Sequence, residues 1–299
     1  MLHAIYSVQK QKATRVIVMS NDSDVIVMAI YYGNSLLKDV ELWMNTAPGV
    51  YLPIHDIVNS LGPRMCRILP FIHSVSGRDP TSFPFNTGKK AWLLKAERLD
   101  LSALEALGEE PTDIHVTDEV IAQARELFIA VYSSVHDDFS GSDLSLLRMY
   151  KFLNSKSVLM KVLPATEDAF LLHVLRAALT TIIDKSAHIS KPDIPALDQY
   201  GWELVPSKDG SSFIPKPIPS TLPPWPEQMP PKQKCGCTKG CKSNCSCRKI
   251  GVACYIGCRC QGDFDKCTWA GELAALQSES ETSSSESGSE CESENEAGV

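Results

Sequence analysis

Nine cysteines fall within 33 residues, in the order Cys235-x-Cys237-x3-Cys241-x3-Cys245-x-Cys247-x6-Cys254-x3-Cys258-x-Cys260-x6-Cys267. Zinc takes four thiolates in a tetrahedron. Three separate tetrahedra would need twelve cysteines. Nine suffice if three sulfurs each bridge two ions and six stay terminal, so about three Zn²⁺ per chain is a closed arrangement. Cys-x-Cys pairs suit it, because neighbouring thiolates can serve neighbouring ions. The segment has few other core formers: Ile250, Val252, Tyr255, Ile256 and Phe264 are its only sizeable apolar residues. The metal is therefore expected to supply the folding free energy.

A second group of residues could do phosphate chemistry. Asn21-Asp22-Ser23-Asp24 follows the apolar run Val16–Met19, Ser76-Gly77-Arg78-Asp79 follows a helical segment, and Gly88-Lys89-Lys90 comes soon after. Carboxylates at the C-terminal edge of a strand lie where α/β folds place ligands. Asp22, Asp24 and Asp79 are candidate oxygen ligands for Mg²⁺, the ion that stabilises both oxygens of a phosphodiester displacement. The other reading of Asp22 and Asp24 is a loop turn with a helix N-cap. His73 and His173 sit among apolar neighbours and read as core or surface histidines.

The net charge of −7, from 36 acidic and 29 basic residues, conceals a segregation. Gln277–Val299 holds seven glutamates and no Lys or Arg. Lys232–Cys267 holds eight Lys or Arg against two Asp, a local excess of +6. Nine thiolates with three Zn²⁺ contribute −3, which lowers the folded module to about +3. Such a surface favours phosphate, because each neutralised phosphate releases counterions. Lys234, Lys239, Lys242, Arg248, Lys249 and Arg259 are the candidate contacts, with Arg248 and Lys249 in the long loop inside the cluster as the best pair.

The elements that must position these groups follow from pattern. Residues 1–92 read as α/β: a helix over Met1–Gln11, a strand at Arg15–Met19, an apolar helix over Val25–Tyr32, a strand at Val40–Met44, and helices at Pro53–Leu61 and Met65–Val75. A parallel, three-layer unit is expected. Residues 93–189 read as a helical extension with helices at Leu99–Leu107, Thr117–Tyr132, Leu144–Asn154 and Thr166–Lys185. Residues 190–233 hold eleven prolines and read as an extended linker. Residues 234–268 form the zinc module, and the Ser/Glu-rich residues 269–299 are expected to be disordered. The longest apolar run, Val25–Tyr32, is too short to span a bilayer, and no secretory leader is legible at the start.

The cysteine rhythm over residues 234–268 resembles the tesmin/TSO1-like CXC domain, which implies a nuclear, zinc-binding, DNA-contacting module. Three further stretches resemble the PIN/flap-endonuclease-like domain of transposable-element-derived proteins. They are Val16–Ala29 with its Asp-x-Asp-Val, Leu69–Lys90 with Gly-x-Asp-x-Thr-Ser and Gly-Lys, and Leu163–Arg176 with Leu-Pro-x-Thr-x-Asp-Ala. That resemblance implies metal-ligand roles for Asp22, Asp24 and Asp79 and a DNA-backbone contact at Gly77, Gly88 and Lys89. Family nucleases carry further acidic ligands before the Asp-x-Asp, whereas residues 1–21 contain no Asp or Glu.

The expectation is therefore a nuclear, DNA-associated zinc protein of mobile-element origin with a degenerate nuclease-like body and no membrane partner. An active Mg²⁺-dependent nuclease completed by other sequence is one alternative. A metal-storage or metal-sensing protein is the other.

Overall fold

A computed structural model describes residues 1–84, 87–109, 116–133, 139, 141–154, 162–223, 234–238, 240–255, 257–263, 265–269 and 272. The chain divides into two compact units, residues 1–148 with 157–224, and residues 149–156 with 225–299.

The first unit begins as α/β. Helix α1 (Leu2–Gln11) leads into β1 (Arg15–Met19), α2 (Ser23–Gly33), β2 (Glu41–Ala47) and β3 (Val50–Pro53). β1 and β2 pair in parallel from Arg15↔Glu41 to Met19↔Asn45, and β3 returns antiparallel to β2. Val16 and Val18 pack towards Ala4, Val27, Leu42 and Met44. Ile17 and Met19 alternate to the other side and stay 50% and 81% exposed. Among the described residues the sheet is thus covered on one face, giving two layers where three were expected. The short β3 was not anticipated.

Helix α3 (Ile54–Val75) is the central element. Gly62, at φ 75° and ψ 164°, breaks it ahead of Pro63, a conformation open to glycine and closed to residues with a Cβ. After the break the helix is apolar on nearly every side. Cys66 and Leu69 face the α/β core, while Ile68, Phe71, Ile72 and Val75 face a second, helical core.

That second core is built from α4 (Lys89–Ala96), α5 (Ser102–Ala106), α6 (Asp118–Tyr132), the start of α7 (Leu144–Asn154) and α8 (Glu167–Lys185). Thr117 caps α6 through a bond from Val120 N–H, as its type and position predict. Trp92, Phe128 and Phe170 meet edge to face in the middle.

The proline-rich stretch is not merely extended over its described part. A 3-10 turn at Leu197–Tyr200 precedes a hairpin of β4 (Trp202–Pro206) and β5 (Phe213–Pro217). Tyr200 is buried in the helical core and Arg176 stacks on Trp202. Asp168 accepts from Ser220 Oγ at 2.8 Å and from the backbone N–H of Thr221 and Leu222 at 2.6 and 2.7 Å. Slight burial opposes its charge, but these bonds hold the carboxyl well below the usual range. Prolines at strand ends and in an exposed strand break no ladder, so proline content alone overstated the openness of this segment. Residues 224–233 lie outside the described part.

In the second unit, Ser246–Lys249 forms one helical turn, α9, in the stretch read as a loop. The rest of the described module is turns around a core of eight buried cysteines and Trp269. Of the tail expected to be disordered, 269–299, Trp269 is instead buried against the cysteines, and the residues beyond Glu272 lie outside the described part. No helix among the described residues is long and apolar enough to cross a membrane.

Candidate metal centre and a neutralised acidic site

None of the described cysteines is in a disulfide. In the module the sulfurs converge: Cys235 lies 3.8 Å from Cys241, 3.9 Å from Cys254 and 3.9 Å from Cys260. Cys241–Cys260, Cys241–Cys254, Cys245–Cys254 and Cys247–Cys258 are 3.6, 3.7, 3.8 and 3.5 Å apart. A zinc–sulfur bond of about 2.3 Å gives a tetrahedron edge of about 3.8 Å. The observed separations are close to the length of such an edge.

Three sets of four cysteines have all their sulfurs within 4.8 Å of one another: Cys235, Cys237, Cys241, Cys245; Cys235, Cys241, Cys254, Cys260; and Cys235, Cys245, Cys247, Cys254. The module can therefore bind metal, and zinc fits its all-thiolate donors. The sets overlap in a particular way. Cys235 belongs to all three sets, Cys241, Cys245 and Cys254 each belong to two, and each pair of sets shares Cys235 and one of these three. Cys267 hydrogen-bonds with both Cys241 and Cys254. Without metal, burial works against a Cys235 thiolate. Bonds from the Cys237 N–H and from the Cys245, Cys241 and Cys254 thiols outweigh that and bring it down to about 6. Burial, with neighbouring sulfurs, pushes Cys237 and Cys260 up to about 11.

The basic candidates differ in availability. Lys242, Lys249 and Arg259 are exposed. Lys234 donates to Asn154 Oδ1 at 2.6 Å. Arg248 is not an open contact: it pairs with Glu272 at 2.8 Å and lies 5.0 Å from the Trp269 ring centroid. Lys239 lies outside the described residues.

The acidic residues do not converge as expected. Among the described residues the only sets of three or more metal donors within 4.8 Å are cysteines. Asp22 caps α2, accepting from Asp24 N–H at 2.8 Å, and Asp79 is exposed. Asp24, in the first turn of α2, is instead held by a cation and an imidazole. Arg78 donates to it through Nη2 and, through Nη1, to Asp184 near the end of α8 at 2.5 Å. His73 Nε2 lies 2.6 Å from Asp24 Oδ1, and its Nδ1 lies 3.2 Å from Lys89 Nζ. An ammonium can only donate, so Nδ1 accepts and Nε2 carries the proton given to Asp24.

Lys89 also donates to the carbonyls of His73 and Gly77, at 3.1 and 2.8 Å. Gly77 is buried at φ 109°, and a Cβ there would lie 2.3 Å from the Phe83 ring. Gly77 and Lys89 thus serve the turn that aims Arg78, and Gly88 precedes α4 as its exposed N-cap. His173 is a core histidine, bonded to Val75 O at 2.8 Å.

One guanidinium shared by two carboxylates leaves them unequal. For Asp24, burial raises the pKa, but the bonds from His73 and Arg78 win and the carboxyl sits below its usual value. For Asp184 burial wins over the Arg78 guanidinium and the pKa rises to about 6. A folded-state value above the ordinary one means Asp184 favours folding fully below its unfolded pKa and loses that contribution as pH rises through about 6. The Asp184 carboxyl carbon is expected to titrate near pH 6 by NMR, and a midpoint at or below 4 would show that the guanidinium outweighs burial.

Comparison with family models, with curated proteins and with solved structures finds no match to this chain. The function therefore rests on the site itself.

Proposed function

We propose that this is a zinc protein whose cysteine module holds three ions and contacts the backbone of DNA in the nucleus. We further propose that its body is a degenerate, nuclease-like domain of mobile-element origin. The observation that carries the reading is the overlap of the three four-cysteine sets. Cys241, Cys245 and Cys254 become the bridging thiolates. Cys235 is assigned to the ion that also takes Cys237, and Cys258 with Cys247 and Cys267 with Cys260 complete the other two tetrahedra, Cys258 and Cys267 taking the place that Cys235 holds in those two sets. This uses all nine sulfurs and places the 3.5 Å Cys247–Cys258 pair on one ion. Zinc here is structural: four thiolates leave no open position for a substrate.

The exposed Lys242, Lys249 and Arg259 on a module of net positive charge support the DNA reading. The pairing of Asp24 with Arg78 and His73 supports loss of cleavage, since a fixed cation stands where a divalent ion would need open carboxylate oxygens.

Elemental analysis of the purified protein is expected to give about three zinc per chain; one or none rejects the shared-thiolate cluster. Binding to a duplex oligonucleotide is expected to weaken steeply with salt and to fall when Lys242, Lys249 and Arg259 become alanine. Incubation of flap or single-stranded DNA with Mg²⁺ or Mn²⁺ is expected to leave it intact. Cleavage abolished by Asp24→Ala would establish a nuclease instead.

A further inference from the structure

Among the described basic residues of the cysteine module, Arg248 pairs with an acid from beyond the last cysteine, whereas Lys266 pairs with Asp263 inside the module. Arg248 Nη2 lies 2.8 Å from Glu272 Oε2 and its Nη1 3.4 Å from Oε1, a two-point contact. The guanidinium is held in place by the Trp269 ring at 5.0 Å, and Trp269 is in turn fixed by its Nε1–H bond to Val252 O at 2.8 Å. Arg248 Nη1 also reaches Cys241 O at 3.4 Å. The acid that pairs with it opens an acidic segment: Glu272–Val299 contains eight glutamates and no Lys or Arg.

From these observations we propose that the segment after Glu272 is an intramolecular polyanion that occupies the basic surface of the module and competes there with DNA. The competition rests on the DNA reading above; the contact does not. Charge complementarity selects this occupant. The segment carries eight carboxylates against about +3 on a zinc-loaded module, and the first of them, Glu272, pairs with Arg248. Reach does not limit it, because the 27 residues after Glu272 can extend to about 90 Å. Tethering places the segment at an effective concentration on the order of millimolar, so individually weak, solvent-exposed pairs can compete with a diffusing partner. The same exposure makes the contact salt-sensitive, and each phosphate added to the segment's serines would strengthen it by up to two charges.

The test uses the zinc-loaded full chain, a variant lacking residues 277–299, and Glu272→Gln, all checked for equal zinc content. Acylation of Lys242 and Lys249 by an amine-reactive ester, read by mass spectrometry at low salt, is expected to rise several-fold on deletion and less in Glu272→Gln. The difference is expected to vanish at high salt. Equal labelling of all three proteins at low salt overturns the proposal. In parallel, affinity for a duplex oligonucleotide is expected to rise about tenfold on deletion at low salt; equal affinity of the two proteins overturns the competition. Labelling that rises while neither protein binds the duplex supports the contact and removes the DNA reading.

Discussion

Stripping zinc with a strong chelator is expected to unfold residues 234–269 while residues 1–223 keep their structure. The cause is the composition of the module's core, which among the described residues consists of eight buried cysteines and Trp269, with Cys237, Val252 and Tyr255 partly buried against it. Such a core contains too little hydrocarbon to offset the entropy of ordering the chain. Structural zinc in small modules supplies about 10–16 kcal/mol of apparent binding free energy at neutral pH, far more than those side chains could. The body, by contrast, has Trp92, Phe71, Phe170 and Leu101 wholly buried. Hydrogen exchange followed by mass spectrometry would resolve the two outcomes: protection should vanish in 234–269 and persist in 118–132 and 167–185. Protection retained in the module after chelation would mean that its fold does not depend on metal. The bridging assignment can be tested separately. Cys241→Ser or Cys254→Ser removes a ligand from two ions and should cost more than one zinc equivalent, whereas Cys237→Ser touches one ion. Equal zinc content in bridging and terminal variants would reject the assignment.

Arg78→Met is expected to destabilise the body by about 3–5 kcal/mol, the cost of leaving buried charge without its partner. Asp184 has 7% of its side chain exposed and Asp24 23%, and both lose the same guanidinium. The penalty should depend on pH in a direction fixed by Asp184, whose pKa is raised even with Arg78 present. Without Arg78 the carboxyl takes a proton more readily still. Urea unfolding should therefore show a larger deficit at pH 7 than at pH 5, and Asp184→Asn should restore part of the loss in the Arg78→Met background. A deficit that is the same at both pH values, with no rescue, would mean that the cost is lost packing rather than uncompensated charge.

Local order was largely legible in the residues. Thr117 at the start of α6, the apolar run of α2 and the strand at Arg15–Met19 all declare themselves by type and spacing, because caps and periodicity act over a few residues. The break in α3 was legible for the same reason: Leu61-Gly62-Pro63 cannot continue a helix. The missed elements carried weak signals. β3 is four residues ending in proline, and α4 follows Gly88 with no side-chain cap. The hairpin at 202–217 was hidden because a count of prolines does not say whether each one sits where a ladder bond is needed.

The acidic site was the least legible part. Its members Asp24, His73, Arg78, Lys89 and Asp184 span 160 residues, and Arg78 meets Asp184 across 106 of them. Nothing near Asp184 in the chain distinguishes it from any acid late in a helix, and His73 reads as an ordinary core histidine. Their pairing depends on α2, α3 and α8 packing together, so it appears only in three dimensions.

The cysteine module shows the opposite balance. Its capacity for metal was written in the order of nine cysteines and the near absence of any other core, since ligand count and short spacing are local properties that directly limit coordination. Only the tertiary structure decided which sulfurs lie between two donor sets. It also decided that Arg248 is spent on Glu272 and that Arg78 fills the space beside Asp24. Those outcomes depend on distances between segments remote in the chain, and close packing sets such distances where composition cannot.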